Sequence, residues 1–128
     1  MLDHIGFAVS DFDRSKAFYR EALAPLSIGL IMEVTAEQSG GGAHAGFGIA
    51  GKPFFWIDSG GAVRSGTHVA FAAEHRADVD AFYAAALKAG GGDNGSPGLR
   101  PHYHPHYYGA FVLDPDGNNI EAVCHRSE

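Results

Sequence analysis

A chain of 128 residues with 45% hydrophobic and 19% charged side chains is the size of one globular domain and can bury a real core. A formal net charge of −6 leaves no basic footprint and argues against a nucleic-acid partner. The single cysteine, Cys124, excludes an internal disulfide.

In chain order, Leu2 to Val9 is an apolar run and the first expected strand. Ser10-Asp11-Phe12-Asp13 offers N-cap side chains for a helix over roughly Asp13 to Ala24, with Phe18, Tyr19, Ala22 and Leu23 on one stripe and Pro25 as its stop. Ser27 to Val34 reads as a strand, Ser39 to Gly42 as a turn, and Ala45 to Ala50 with Pro53 to Asp58 as a strand pair hinged near Gly51. Ser59 to Gly66, holding three glycines, is the expected linker. Thr67 to Ala73 is a strand. A helix over Asp78 to Ala89 carries Val79, Phe82, Tyr83, Ala86 and Leu87 on one face, and Gly90-Gly91-Gly92 supplies its stop. A weak strand lies near Gly98 to Tyr103, and Tyr107 to Leu113 pairs with Asn118 to Cys124 through the turn Asp114-Pro115-Asp116-Gly117. No run is long enough to span a membrane, and Met1-Leu2-Asp3-His4 lacks the features of a signal peptide, so the expected location is cytoplasmic.

The chain repeats itself at an interval of 64 residues. His4, Phe7, Ala8, Ala17, Phe18, Tyr19, Ala22 and Leu23 return as His68, Phe71, Ala72, Ala81, Phe82, Tyr83, Ala86 and Leu87 without a gap. Each unit reads strand, helix, three strands. The expected fold class is α+β: two βαβββ modules, 1–58 and 67–128 joined by linker 59–66, forming a curved mixed sheet around a shared cleft with helices on the outer face.

Strand alternation sends Ile5, Phe7 and Val9 to the helix side and His4 to the other, and treats His68 and Glu121 the same way. Two imidazoles and a carboxylate form a ligand set for one divalent metal ion such as Fe(II), Mn(II), Zn(II) or Ni(II). The spacing from Gly117 to Glu121 matches that from Gly51 to Phe55, so Phe55 stands where a second Glu would complete a four-ligand set. Trp56 is expected on the helix side, in the core. Simpler readings compete. A strand histidine is most often structural, Glu121 could be a plain exposed strand residue, and Cys124 is a small buried hydrophobe before it is a nucleophile. His102, His104, His106, Tyr107 and Tyr108 line either the cleft mouth or a surface loop.

The segments Leu2-Asp3-His4-Ile5-Gly6-Phe7-Ala8-Val9, Ala17-Phe18-Tyr19, Gly66-Thr67-His68-Val69-Ala70-Phe71 and Asp114-Pro115-Asp116-Gly117-Asn118-Asn119-Ile120-Glu121 resemble the vicinal oxygen chelate superfamily. That group includes glyoxalase I, extradiol dioxygenases, fosfomycin-resistance transferases and bleomycin-resistance proteins. The resemblance implies paired βαβββ modules, often a homodimer, and His4, His68 and Glu121 as metal ligands. Phe55 in place of a second Glu counts against lactoylglutathione lyase chemistry, and Gly6 and Ala8 replace the polar residues expected to grip a phosphonate. Extradiol dioxygenases use two His and one Glu in the order seen here, with an acid–base His and a Tyr that His102, His104, His106, Tyr107 or Tyr108 would supply. The expected function is a divalent-metal-dependent enzyme acting on a small oxygen-bearing substrate chelated through vicinal oxygens. The alternative is a metal-free small-molecule binding protein of the bleomycin-resistance type, with Phe55, Tyr107 and Tyr108 lining an apolar cleft.

Overall fold

The computed structural model describes residues 1–128. In the first half β1 (Ile5–Ala8) leads into α1 (Phe12–Leu23), whose N-terminus is capped by the Asp11 carboxylate accepting the Arg14 N–H. Pro25 falls in a 3-10 turn, Ala24–Leu26, that closes the helix. Then come β2 (Gly29–Val34), the one-turn helix α2 (Ala36–Ser39), β3 (His44–Ile49) and β4 (Lys52–Asp58). The turn expected at Ser39–Gly42 thus starts earlier, because Thr35 and Gln38 close a reciprocal capping box.

The second half repeats the order: β5 (His68–Ala72), α3 (Arg76–Lys88), two short strands β6 (Gly92–Asp93) and β7 (Gly98–Leu99), then β8 (Tyr108–Leu113) and β9 (Asn119–Cys124). The strand expected over Gly98 to Tyr103 stops at Leu99. Beyond it the chain turns, with the Tyr103 N–H donated to the Arg100 carbonyl, and Pro101 has no N–H to continue a ladder.

Each half builds one sheet, ordered β1-β4-β3-β2 and β5-β9-β8-β6, with β7 also on β8. In both, the first strand runs parallel to the last. The α+β class with two modules is therefore what the chain forms. The register carries one consequence for the site. β3 and β4 pair Phe47 with Phe55 but Gly48 with Pro53, so Phe54 is an extra residue in a bulge. A Cβ at Gly48 would stand 1.8 Å from the Lys52 carbonyl oxygen, so this bend tolerates only glycine. Counting from Gly51 is therefore off by one. Gly6 pairs with Trp56 just as its repeat partner Ala70 pairs with Glu121. Trp56, not Phe55, holds the place in the first module that Glu121 holds in the second.

Phe55 is instead the centre of the core. It is fully buried, with ring centroids of Phe7, Tyr19, Phe47 and Phe71 at 5.5, 4.9, 6.1 and 5.3 Å. The Phe71 contact comes from the other module, and both modules share one core cluster of 21 buried residues. A polar tie reinforces it. The Tyr19 hydroxyl on α1 donates to the buried Asp114, whose carboxylate also accepts N–H bonds from Asp116 and Asn118 in the β8–β9 turn. That turn of the second module is thereby held against the helix of the first. No helix is long and apolar enough to cross a membrane.

Candidate metal centre

The β5–β9 register pairs His68 with Asn119 and Ala70 with Glu121, which makes His68 and Glu121 diagonal neighbours on the face of their sheet opposite α3. β5 alternates as the sequence predicts: Val69 and Phe71 are buried, and His68, Ala70 and Ala72 are exposed. His68 Nε2 lies 2.9 Å from Glu121 Oε1. The imidazole is half exposed, but the carboxylate is only 1% exposed. Tyr107 explains how it stays buried. Its hydroxyl donates to Glu121 Oε2 from just before β8. Room for this comes from Gly109, where a Cβ would stand 3.1 Å from Tyr107 Cε1 and 3.3 Å from Glu121 Oε2. Burial, and then the hydrogen bond and charge of Glu121, push the Tyr107 phenol well above its ordinary range. Through neutral pH it is a proton donor to the carboxylate, not a base.

His4 sits apart from this pair. Its Nδ1 is 2.7 Å from Asp3 Oδ1, and Asp3 also accepts from Lys52 Nζ at 2.8 Å. The Lys52 hydrogen bond, and next the one from His4, hold the Asp3 carboxyl below its usual range. His4 and His68 both border a groove of about 480 Å³ between the modules, walled by Leu2, Ile5, Phe54 and Phe71, with Phe55 behind them. A single chain gathers no group of three His, Cys, Asp or Glu side chains able to hold a metal ion. Two of the three expected ligands are thus in contact, and the third is not with them.

The remaining site residues divide. Tyr107 reaches the pair. Tyr108, the next residue on the opposite face, donates its hydroxyl to Asp80 on α3 and lies under the Arg76 guanidinium, away from Glu121. His102, His104 and His106 lie in the exposed segment before β8, and none is hydrogen bonded to His68 or Glu121. His102 packs at a tilt against Tyr103, ring centres 4.2 Å apart. His104 accepts the His106 N–H and packs against His125, whose ring meets Tyr107 at 5.2 Å.

Two residues on these faces escaped the sequence reading. Arg100 lays its guanidinium 5.4 Å from the ring centre of Phe111, which is the cross-strand partner of Glu121 and so shares its face. No sequence signal marks a lone arginine in an irregular segment. The bulge at Phe54 is invisible to an alternation count, which places Trp56 one position out of phase, on the helix side.

The family model for the Glyoxalase/Bleomycin resistance protein/Dioxygenase superfamily matches residues 1–122. The chain belongs to this superfamily. Among curated proteins, the metallothiol transferase FosB of Shouchella clausii is 31% identical over 122 residues, covering 94% of this chain and 77% of that one. Among solved structures, a glyoxalase/bleomycin resistance protein from Albidiferax ferrireducens superposes with a TM-score of 0.78 at 29% identity, covering 96% of this chain and 97% of that one. The fold is also shared with glyoxalase I of Zea mays (TM-score 0.73, 20% identity, 99% of this chain and 45% of that one). Each of these three matches spans 94% or more of this chain.

Proposed function

We propose that the protein is a divalent-metal-dependent enzyme acting on a small substrate through two neighbouring oxygen atoms, with His68 and Glu121 of one copy and His4 of a second copy as the protein ligands. The observation that carries this reading is Glu121. A carboxylate 1% exposed, with one phenol and one half-exposed imidazole as partners, is costly to bury unless a cation joins it. The adjacent nitrogen and oxygen suit a transition-metal dication. The similarity to a metallothiol transferase supports the same reading.

The third ligand has to come from elsewhere, because His4 is not gathered with the pair in one chain. β1 and β5 end their sheets as unpaired edges, the usual place for a second copy to join. A homodimer that seats His4 of one copy beside His68 and Glu121 of the other would complete the set.

A divalent cation held there supplies Lewis acidity toward substrate oxygens. The chain's own residues do the rest. Tyr107 fixes one oxygen of Glu121 and leaves the other facing His68. Arg100 puts a positive charge on the same face and favours an anionic substrate. His125 packs edge-on against Tyr107, and His104 packs against His125 and His106, so these imidazoles are the acid–base candidates nearest the pair.

Mixing variants tests both the metal and its sharing. His4→Ala and Glu121→Gln, purified separately, should each lose tight uptake of Zn(II) or Mn(II). Re-formed together, half of the dimers become mixed and each mixed dimer regains one intact site, so a quarter of the wild-type sites return. A wild type that takes up no divalent ion would instead favour a metal-free ligand-binding protein. Uptake that mixing does not restore would place His4 in the same chain's site.

A further inference from the structure

Trp56 is the only tryptophan in the chain, and the fold makes unusual room for it. Its cross-strand neighbours on both sides are glycines: Gly6 on β1 and Gly46 on β3. A Cβ at Gly46 would lie 2.8, 2.8 and 2.9 Å from three atoms of the six-membered ring of the indole. Three near-equal distances mean that the ring lies face down on the strand. A Cβ at Gly6 would press on Trp56 Cβ at 3.1 Å. The indole therefore rests flat on a floor cleared for it. It stays half-buried and forms part of a depression of about 580 Å³ that also holds Asp3, His4, His44 and Lys52.

A tryptophan kept for core packing would not need glycine at both flanking positions, nor lie on the face away from the core. Phe55, one residue earlier, already fills the core side. By register, moreover, Trp56 is the first-module counterpart of Glu121, and it shares its depression with His4. Where the second module presents a carboxylate, the first presents an aromatic plane.

We propose that Trp56 is a specificity-determining residue, a stacking platform that selects ligands carrying a flat conjugated ring. The chelating head of such a ligand rests on the metal reading above; the ring preference does not. The test compares benzohydroxamate with cyclohexanecarbohydroxamate, which share a chelating head and differ in having a flat or a puckered ring. By titration calorimetry the wild type should bind the aromatic compound about three- to ten-fold more tightly, the range expected for one ring stacked on another. Trp56→Leu should bind both equally while keeping its metal content, and Trp56→Phe should keep part of the preference. Should the leucine variant not fold, the wild type still reports: benzohydroxamate should quench the fluorescence of the sole tryptophan and the cyclohexane compound should not. Equal affinities in the wild type, or a preference that survives in Trp56→Leu, would overturn the proposal. If metal analysis finds no bound ion, the metal reading fails, and the ring preference is still read from the same two compounds.

Discussion

The hydrogen bond from Tyr107 to Glu121 is the contact whose removal says most about the site. Tyr107→Phe keeps the ring and deletes only the hydroxyl that donates to Oε2. Glu121 is then left with His68 as its one partner, in a pocket where it is 1% exposed. A hydrogen bond to a charged group contributes about 1.5–3 kcal/mol. Tyr107 is itself half-buried, so water can partly replace the hydroxyl, and the lower end, about 1.5 kcal/mol, applies. For 128 residues the unfolding entropy is about 270 cal/mol/K, so the melting temperature of the metal-free protein should fall by about 6 °C. Calorimetry on Tyr107→Phe, Glu121→Gln and the double variant isolates the pair. If the bond is as described, the two single effects will not add, with a coupling of about 1 kcal/mol or more. Additive effects, or an unchanged melting temperature in Tyr107→Phe, would refute the claim that the phenol stabilises the buried carboxylate.

Phe55→Ala should cost about 3–5 kcal/mol in urea unfolding, because four rings from both modules close on that side chain; a loss under about 1 kcal/mol would mean the modules do not share it. Gly48→Ala should destabilise strongly and disturb the β3–β4 pairing, read as lost amide-exchange protection, since the added methyl meets the Lys52 carbonyl at 1.8 Å. Alkaline pH should also weaken the fold. The Tyr19 phenol is raised by burial and then by Asp114, and that of Tyr107 by burial and then by Glu121, both above the ordinary 10.0. The unfolded chain therefore releases these protons first. The stabilisation is complete below pH 10.0 and is lost as pH rises above it, so melting temperature should hold steady to that point and then decline, less steeply in Tyr107→Phe.

Most of the architecture was legible in the residues. The 64-residue repeat, the helical stripes through Phe18 and Phe82, and the Asp114–Gly117 turn are local signals, and each became the element it indicated. Alternation also oriented β5 correctly, because its register on β9 is regular. It failed on β4. There the extra residue Phe54 reverses the parity of everything after it, sending Phe55 to the core and Trp56 to the open face. Tyr107 and Tyr108 were adjacent candidates with nothing to separate them. Only the strand's two faces, one toward Glu121 and one toward Asp80, assigned their roles.

By itself the amino-acid order determined two βαβββ units, their shared histidine, and the facing of His68 and Glu121 to the side away from the helices. These depend on periodicity and local turn chemistry, which the chain carries at every position. Tertiary structure alone decided that Phe55 joins the modules, that an indole takes the place of a second carboxylate, and that His4 stands away from the other two expected ligands. Those outcomes depend on a single inserted residue and on how two sheets share one aromatic core, and neither leaves a trace in spacing.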